Sequence, residues 1–126
     1  MKRINGLYDE PMWTGFGKRD LLLQQCSACT AHRYPPAAAC PKCLAPAHRW
    51  VPASGKATIV TWAIFHRQYL PEYPAPYNVI AVQLAEGPLM ASNLEGPAPE
   101  GSWIGRSVEL TWADTPSGPL PRFKLA

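Results

Sequence analysis

Residues 21 to 56 contain no acidic side chain, although Arg33, Lys42, Arg49 and Lys56 all fall there. Long apolar runs are missing too: none approaches the ~20 residues that span a bilayer. The opening "MKRINGLYDEPMW" has neither the apolar stretch nor the small-residue cleavage site of a secretory signal. These absences predict a cytoplasmic protein with no membrane segment. Histidine is scarce, at three residues. No Ser-His-Asp order, Gly-rich phosphate loop or obvious carboxylate pair is found. A self-contained active site is therefore not expected.

What is present fits one ordinary domain, or two small modules, in 126 residues. The apolar share of 47% against 17% charged is a soluble globular balance, with enough chain to bury a core. The net charge of +3 is uneven, because residues 57 onward hold four basic residues against six acids. Four thiolates on a zinc ion would form a centre of net charge −2, leaving the 21–56 stretch near +2. Such a balance is too weak for a general nucleic-acid binder, which needs a long basic stripe. It suits a small ligand with two or three phosphates, or simply a solvated basic face.

All four cysteines sit in "CSACTAHRYPPAAACPKC", as two Cys-x-x-Cys pairs with ten residues between them. Each pair lets two thiolates face one ion, and a hairpin stiffened by Pro35 and Pro36 brings the pairs together. Cys26, Cys29, Cys40 and Cys43 are thus predicted to hold zinc in a ribbon-type site. Iron in a rubredoxin-like shell has the same spacing and stays open as an alternative, as does a site that has lost its metal. Disulfides do not suit a cytoplasmic chain, and a thioredoxin-like pair needs a βαβ context that is absent. A closed shell of four cysteines leaves no open position, so the metal is structural. Glycine often follows the second cysteine of such a knuckle, where φ is positive. Thr30 and Leu44 stand there, so strain is expected to displace the first knuckle or loosen its metal.

The rest of the chain reads as strands. "KATIVTWAIFH" places Val60, Trp62 and Ile64 on one face, and "NVIAVQLAEG" does the same for Ile80, Val82 and Leu84. "LMASNLEG", "SVELTWAD" and "RFKLA" supply three more, with Val108, Leu110, Trp112, Phe123 and Leu125 inward. Glycine and proline turns separate them, and "YLPEYPAPY" forms a stiff extended loop. Five short strands fit a closed barrel, which removes edges. The fold class is therefore mainly β: an N-terminal arm (1–20), a rubredoxin-like zinc ribbon (21–54) and a five-stranded OB-fold barrel (55–126), with an SH3-like barrel second. In the arm, Gly6, Pro11, Gly15 and Gly17 interrupt any helical period. A short helical turn near Tyr8–Phe16 is allowed, but Trp13 and Phe16 are expected to anchor onto another surface.

The segments "LLLQQCSAC", "YPPAAACPKC", "SGKATIVTWAIFH", "PYNVIAVQLAEGP" and "IGRSVELTW", in that order, resemble the zinc-ribbon/OB-fold family associated with acyl-CoA metabolism. The resemblance covers residues 21 to 125. It implies an obligate partner of thiolase-superfamily enzymes. Members accompany acetoacetyl-CoA thiolase and hydroxymethylglutaryl-CoA synthase, phloroglucinol acyltransferases and steroid side-chain retro-aldolases. It also implies that the companion carries the nucleophilic chemistry while the ribbon and barrel bridge subunits and help enclose CoA or an acyl carrier. By that likeness the four cysteines are the metal ligands.

Remaining candidates are few. His32 and His48 lie in or beside the ribbon, as surface residues or, only where a cysteine is displaced, as zinc ligands. His66, Arg67 and Tyr69, at the mouth of the Pro-rich loop, form a contact patch for a polar ligand or partner, or a strand end returning to solvent. Tyr69, Tyr73 and Tyr77 either supply rigid interface aromatics or pack on their own barrel. Trp50 is expected at the ribbon–barrel junction and Trp62 and Trp112 in the core, while Trp103 is open. The reading is a non-catalytic accessory subunit of a thiolase-like enzyme, with Arg33, Lys42 and Arg49 supplying charge near CoA phosphates. A nucleic-acid-binding ribbon plus OB module is the rival, and a small independent transferase the third choice.

Overall fold

The computed structural model describes residues 6–126, so the first five residues of the expected arm lie outside the described residues. The arm is helical: α1 spans Glu10–Gly17. Pro11 falls in its first turn, where a missing N–H costs nothing. Gly15 is needed for closeness, since a Cβ there would stand 2.9 Å from the Asp20 carbonyl oxygen. Met12 and Phe16, one turn apart, are buried. The Phe16 ring meets Trp112 edge-on at 5.7 Å, and Arg19 Nη2 donates to Asp114 at 2.6 Å. Phe16 thus anchors the arm on this chain's own barrel.

A three-stranded sheet follows, with β1 (Leu22–Cys26) between β2 (His32–Arg33) and β3 (His48–Pro52). Both pairings are antiparallel, and Cys26 stands opposite His48. The chain then passes Gly55, whose φ is +86°. A side chain there would also meet Leu110 Cβ at 3.0 Å.

The second sheet comprises β4 (Lys56–Phe65), β5 (Tyr77–Leu84), β6 (Leu89–Ser92), β7 (Leu94–Glu95), β8 (Ser107–Thr115) and β9 (Gly118–Leu125). Its order is β6-β5-β4-β8-β9-β7, antiparallel except for β7 on β9. Only Asn93 separates β6 from β7, yet they occupy opposite ends of that order, so one bent strand closes the sheet into a five-stranded OB barrel. Asn78 holds the bend: its Oδ1 accepts from Leu94 N at 2.6 Å and its Nδ2 donates to Leu94 O at 3.0 Å. Asn93 Nδ2 in turn donates to Asn78 O.

Ile80, Val82, Leu84, Val108 and Phe123 fill the barrel as their alternation predicts, with Leu110 and Trp112 half-buried around them. Leu125, at the barrel end, is exposed. In β4 the expected face is wrong. Ile59 pairs with Val82 but Thr61 with Ala81, so Val60 is an inserted residue. The bulge moves the inward face from Ala57 and Ile59 to Trp62, and leaves Val60 and Ile64 exposed. Trp62 is half-buried and stacks on the buried Trp103 at 4.4 Å and 10° between planes. No helix among the described residues is long and apolar enough to cross a membrane.

Candidate metal centre and neighbouring surfaces

The two cysteine pairs fold as matching knuckles. In the first, Cys26 N donates to Ala31 O and Thr30 N to Cys26 O, at 2.8 and 3.0 Å. In the second, Cys40 N donates to Ala45 O and Leu44 N to Cys40 O, both at 2.9 Å. Ala28 N and Cys29 N approach Cys26 Sγ at 3.4 and 3.5 Å, and Lys42 N approaches Cys40 Sγ at 3.4 Å. Cys26 and Cys40 are buried, while Cys29 and Cys43 are exposed.

All four sulfurs lie within 4.8 Å of one another, with 3.5 Å across the pairs Cys26–Cys43 and Cys29–Cys40. A tetrahedral ion with M–S bonds of about 2.3 Å requires S···S separations of about 3.8 Å, so the four residues fit such an ion. The backbone prepares them for it. N–H groups of Cys43 and Lys42 lower the Cys40 thiol to about 6, against burial. Cys26 is lowered by the N–H of Cys29, with Ala28 adding to the effect. Cys43 goes the other way: Ala45 N–H favours its thiolate, but the crowd of Cys26, Cys29 and Cys40 sulfurs outweighs it and raises Cys43 to about 11. Four sulfurs this close cannot all be anionic without a cation among them.

Thr30 and Leu44 adopt φ of 65° and 66°. Each side chain in that region costs about 1–2 kcal/mol. The strain expected from the sequence is real, but it does not displace the first knuckle, whose sulfurs keep their place beside the second pair.

The predicted basic residues separate. Arg33 is buried at 4% exposure: Nη1 donates to Ala37 O at 3.4 Å, and Nε and Nη2 have no partner among the described residues. Lys42 and Arg49 are exposed, and Arg49 Nε donates to Gln25 Oε1 at 2.9 Å. His32 and His48 are only half-exposed. His48 Nδ1 lies 3.1 Å from Pro46 O and Nε2 3.1 Å from Gln24 Nε2, so Nδ1 carries the proton and Nε2 accepts. His48 is thereby occupied away from the metal.

His66, Arg67 and Tyr69 are exposed at the far end of β4. Arg67 lies over the Tyr69 ring at 5.4 Å, and Phe65 meets that ring at 6.2 Å. Nine steps of about 3.3 Å along β4 put this tip roughly 30 Å from the ribbon junction. Ribbon and tip are thus two surfaces. The Pro-rich loop divides its tyrosines, since Tyr73 and Tyr77 are half-buried and Tyr69 is exposed.

Two participants escape a reading by residue type. Gln24 is fully buried; its Oε1 accepts from Ala37 N at 2.7 Å and its Nε2 donates to Ala37 O at 3.2 Å, pinning the loop between the knuckles. Its position two residues before Cys26 on a strand, hence on the same face, was the available signal. Arg122 lies over Tyr73 at 5.6 Å and 3.8 Å from Glu95, behind the Pro-rich loop. Nothing local in the sequence marks that long-range meeting.

Residues 13–49 match the family of the ChsH2 rubredoxin-like zinc ribbon domain, and residues 50–113 that of the ChsH2 C-terminal OB-fold domain. A probable enoyl-CoA hydratase alpha subunit of Thermomonospora curvata is 35% identical over 94% of this chain and 38% of its own length. The 3-oxo-4,17-pregnadiene-20-carboxyl-CoA hydratase alpha subunit of Mycobacterium tuberculosis is 29% identical over 86% of this chain and 34% of its own. The chain therefore spans little more than a third of the curated relatives it matches. Among solved structures, a chain of the Ltp2-ChsH2(DUF35) aldolase superposes with a TM-score of 0.88 at 30% identity, covering 98% of both chains. A DUF35-family protein of unknown function from Sulfolobus solfataricus shares the fold, with a TM-score of 0.70 at 16% identity over 97% of this chain and 87% of its own. With ribbon and barrel matched in one continuous order, the chain belongs to the ChsH2 family of rubredoxin-like zinc ribbon and OB-fold proteins.

Proposed function

We propose that this chain is a non-catalytic accessory subunit of a thiolase-like enzyme, bridging subunits and helping to hold an acyl-CoA. The observation that carries the reading is the end-to-end likeness to a chain of the Ltp2-ChsH2(DUF35) aldolase. The names of the two hydratase subunits point to CoA thioesters as the chemical setting. Chemistry within the chain supports the same reading, because its reactive thiols form a shell of four. An ion held by four cysteines offers substrate no open position, so it stiffens the ribbon without acting on a thioester. We assign zinc to this shell, on the softness of the donors and their tetrahedral spacing.

In this reading the ribbon cations serve the CoA phosphates. Lys42 and Arg49 make direct contact, and the buried Arg33 adds its field from beneath. His66, Arg67 and Tyr69 form a separate contact patch at the β4–β5 tip. The test uses the chain co-expressed with a candidate thiolase-like enzyme. The two should co-purify, and the isolated chain should not turn over a thioester. Reversing Lys42 and Arg49 to glutamate should weaken CoA binding by the complex at least tenfold and make the remainder less salt-sensitive. Unchanged affinity would remove the phosphate assignment, and enzyme-like turnover by the isolated chain would remove the accessory role.

A further inference from the structure

The two knuckles share a backbone, but Pro41, Lys42 and Leu44 of the second stand where the first has Ser27, Ala28 and Thr30, and the last of these pairs sits in the left-handed region. Thr30 occupies its left-handed position with a local bond, Oγ1 donating to Cys29 O at 2.6 Å. Leu44 occupies the equivalent position with no polar atom to bond, and its isobutyl group is 76% exposed. Glycine would take that φ without strain, and a polar side chain would take that exposure without hydrophobic cost. Leu44 satisfies neither requirement of the fold.

The surroundings fix it in place. Leu44 N and Cys40 N are both held in the knuckle hydrogen bonds, and the metal shell adjoins it through Cys43. Pro41 and Pro46 flank the tip, and 41–44, 46 and 47 are all exposed. With the backbone already fixed, only the leucine's own rotamers remain to be ordered when a partner covers it. Resting on the accessory-subunit reading above, we propose that Leu44 is the apolar anchor by which the second knuckle docks into its catalytic companion.

Charge selects the occupant. The tip lies in the field of Lys42 and Arg49, with no acid anywhere in residues 21–56. A second copy of this chain docked tip to tip would set these cations against themselves. The surface that fits is a heterologous protein with a small apolar recess and no cations of its own facing the tip, which leaves Lys42 and Arg49 to the CoA phosphates.

The experiment compares wild type, Leu44→Gly and Thr30→Gly, each metal-loaded, for affinity to the co-expressed thiolase-like enzyme and for Tm. Leu44→Gly should raise Tm or leave it unchanged, because strain is removed, yet weaken association tenfold or more. Thr30→Gly should leave association within twofold. A purely structural Leu44 would give the same association in Leu44→Gly as in wild type, and that result overturns the anchor while sparing the accessory role. Failure of wild type itself to associate overturns both. Sedimentation provides the remaining arm: a wild-type homodimer abolished by Leu44→Gly would replace the companion with a second copy and overturn the proposal.

Discussion

The ribbon buries Leu21 and Leu23, but its other buried side chains include two sulfurs, an amide and a guanidinium: Cys26, Cys40, Gln24 and Arg33. The barrel buries Ile59, Ile80, Val82, Leu84, Met90, Leu94, Trp103, Val108 and Phe123. The barrel therefore has the apolar interior that ordinary folding requires, while the ribbon has a two-residue strand and a ring of thiols. Two modules in one chain thus rely on different forces. The contrast teaches that the ribbon is the half that conditions can switch off.

The largest break in that contrast is removal of the metal. Binding to a four-cysteine knuckle is worth on the order of 10 kcal/mol, which is also folding free energy. Cys40→Ser, or a strong chelator on the metal-loaded protein, should abolish amide-exchange protection through β1–β3. Protection at Val82 and Val108 should persist. Loss of protection in both halves together would show that the barrel depends on the ribbon, and the contrast would fail.

The next test acts at the joint. Gly55 combines a positive φ with a 3.0 Å approach to Leu110, so any Cβ there is strained and crowded. Gly55→Ala should cost roughly 2 kcal/mol by denaturant titration. Because Leu110 N donates to Gly55 O at 2.7 Å, the loss should fall on the barrel and leave metal affinity unchanged.

Much of this division is visible in the sequence, and what is hidden has definite causes. Four cysteines at that spacing leave little alternative to a metal shell, and the clean alternation in β5 carries its core face without ambiguity. The face of β4 is hidden because a bulge at Val60 is a backbone event with no residue signature. The charge of Arg33 is legible, but its burial depends on how the 34–39 loop folds over it. The short α1 defies its own glycines because Met12 and Phe16 gain more from the barrel than Gly15 and Gly17 lose. Trp62 and Trp103 meet across forty-one residues of chain, which no local period encodes.

The smallest effect sharpens the comparison at its seam. Tyr34 belongs to the loop between the knuckles, yet it packs against the shared core, as Trp50 and Ala53 also do. Burial raises its pKa above the usual 10, and the nearby Asp9 carboxylate raises it further. The native state thus keeps the phenol neutral more strongly than the unfolded chain does. Its contribution to stability is fully present below about pH 10, the unfolded value, and is lost as pH rises through the higher native value. Denaturant midpoints measured from pH 8 to 11 should fall at the alkaline end, and Tyr34→Phe should flatten that fall. Asp9→Asn should act in the same direction but more weakly, since burial is the larger cause. An identical alkaline slope in Tyr34→Phe would mean that the ribbon thiols, not the seam, govern stability at high pH.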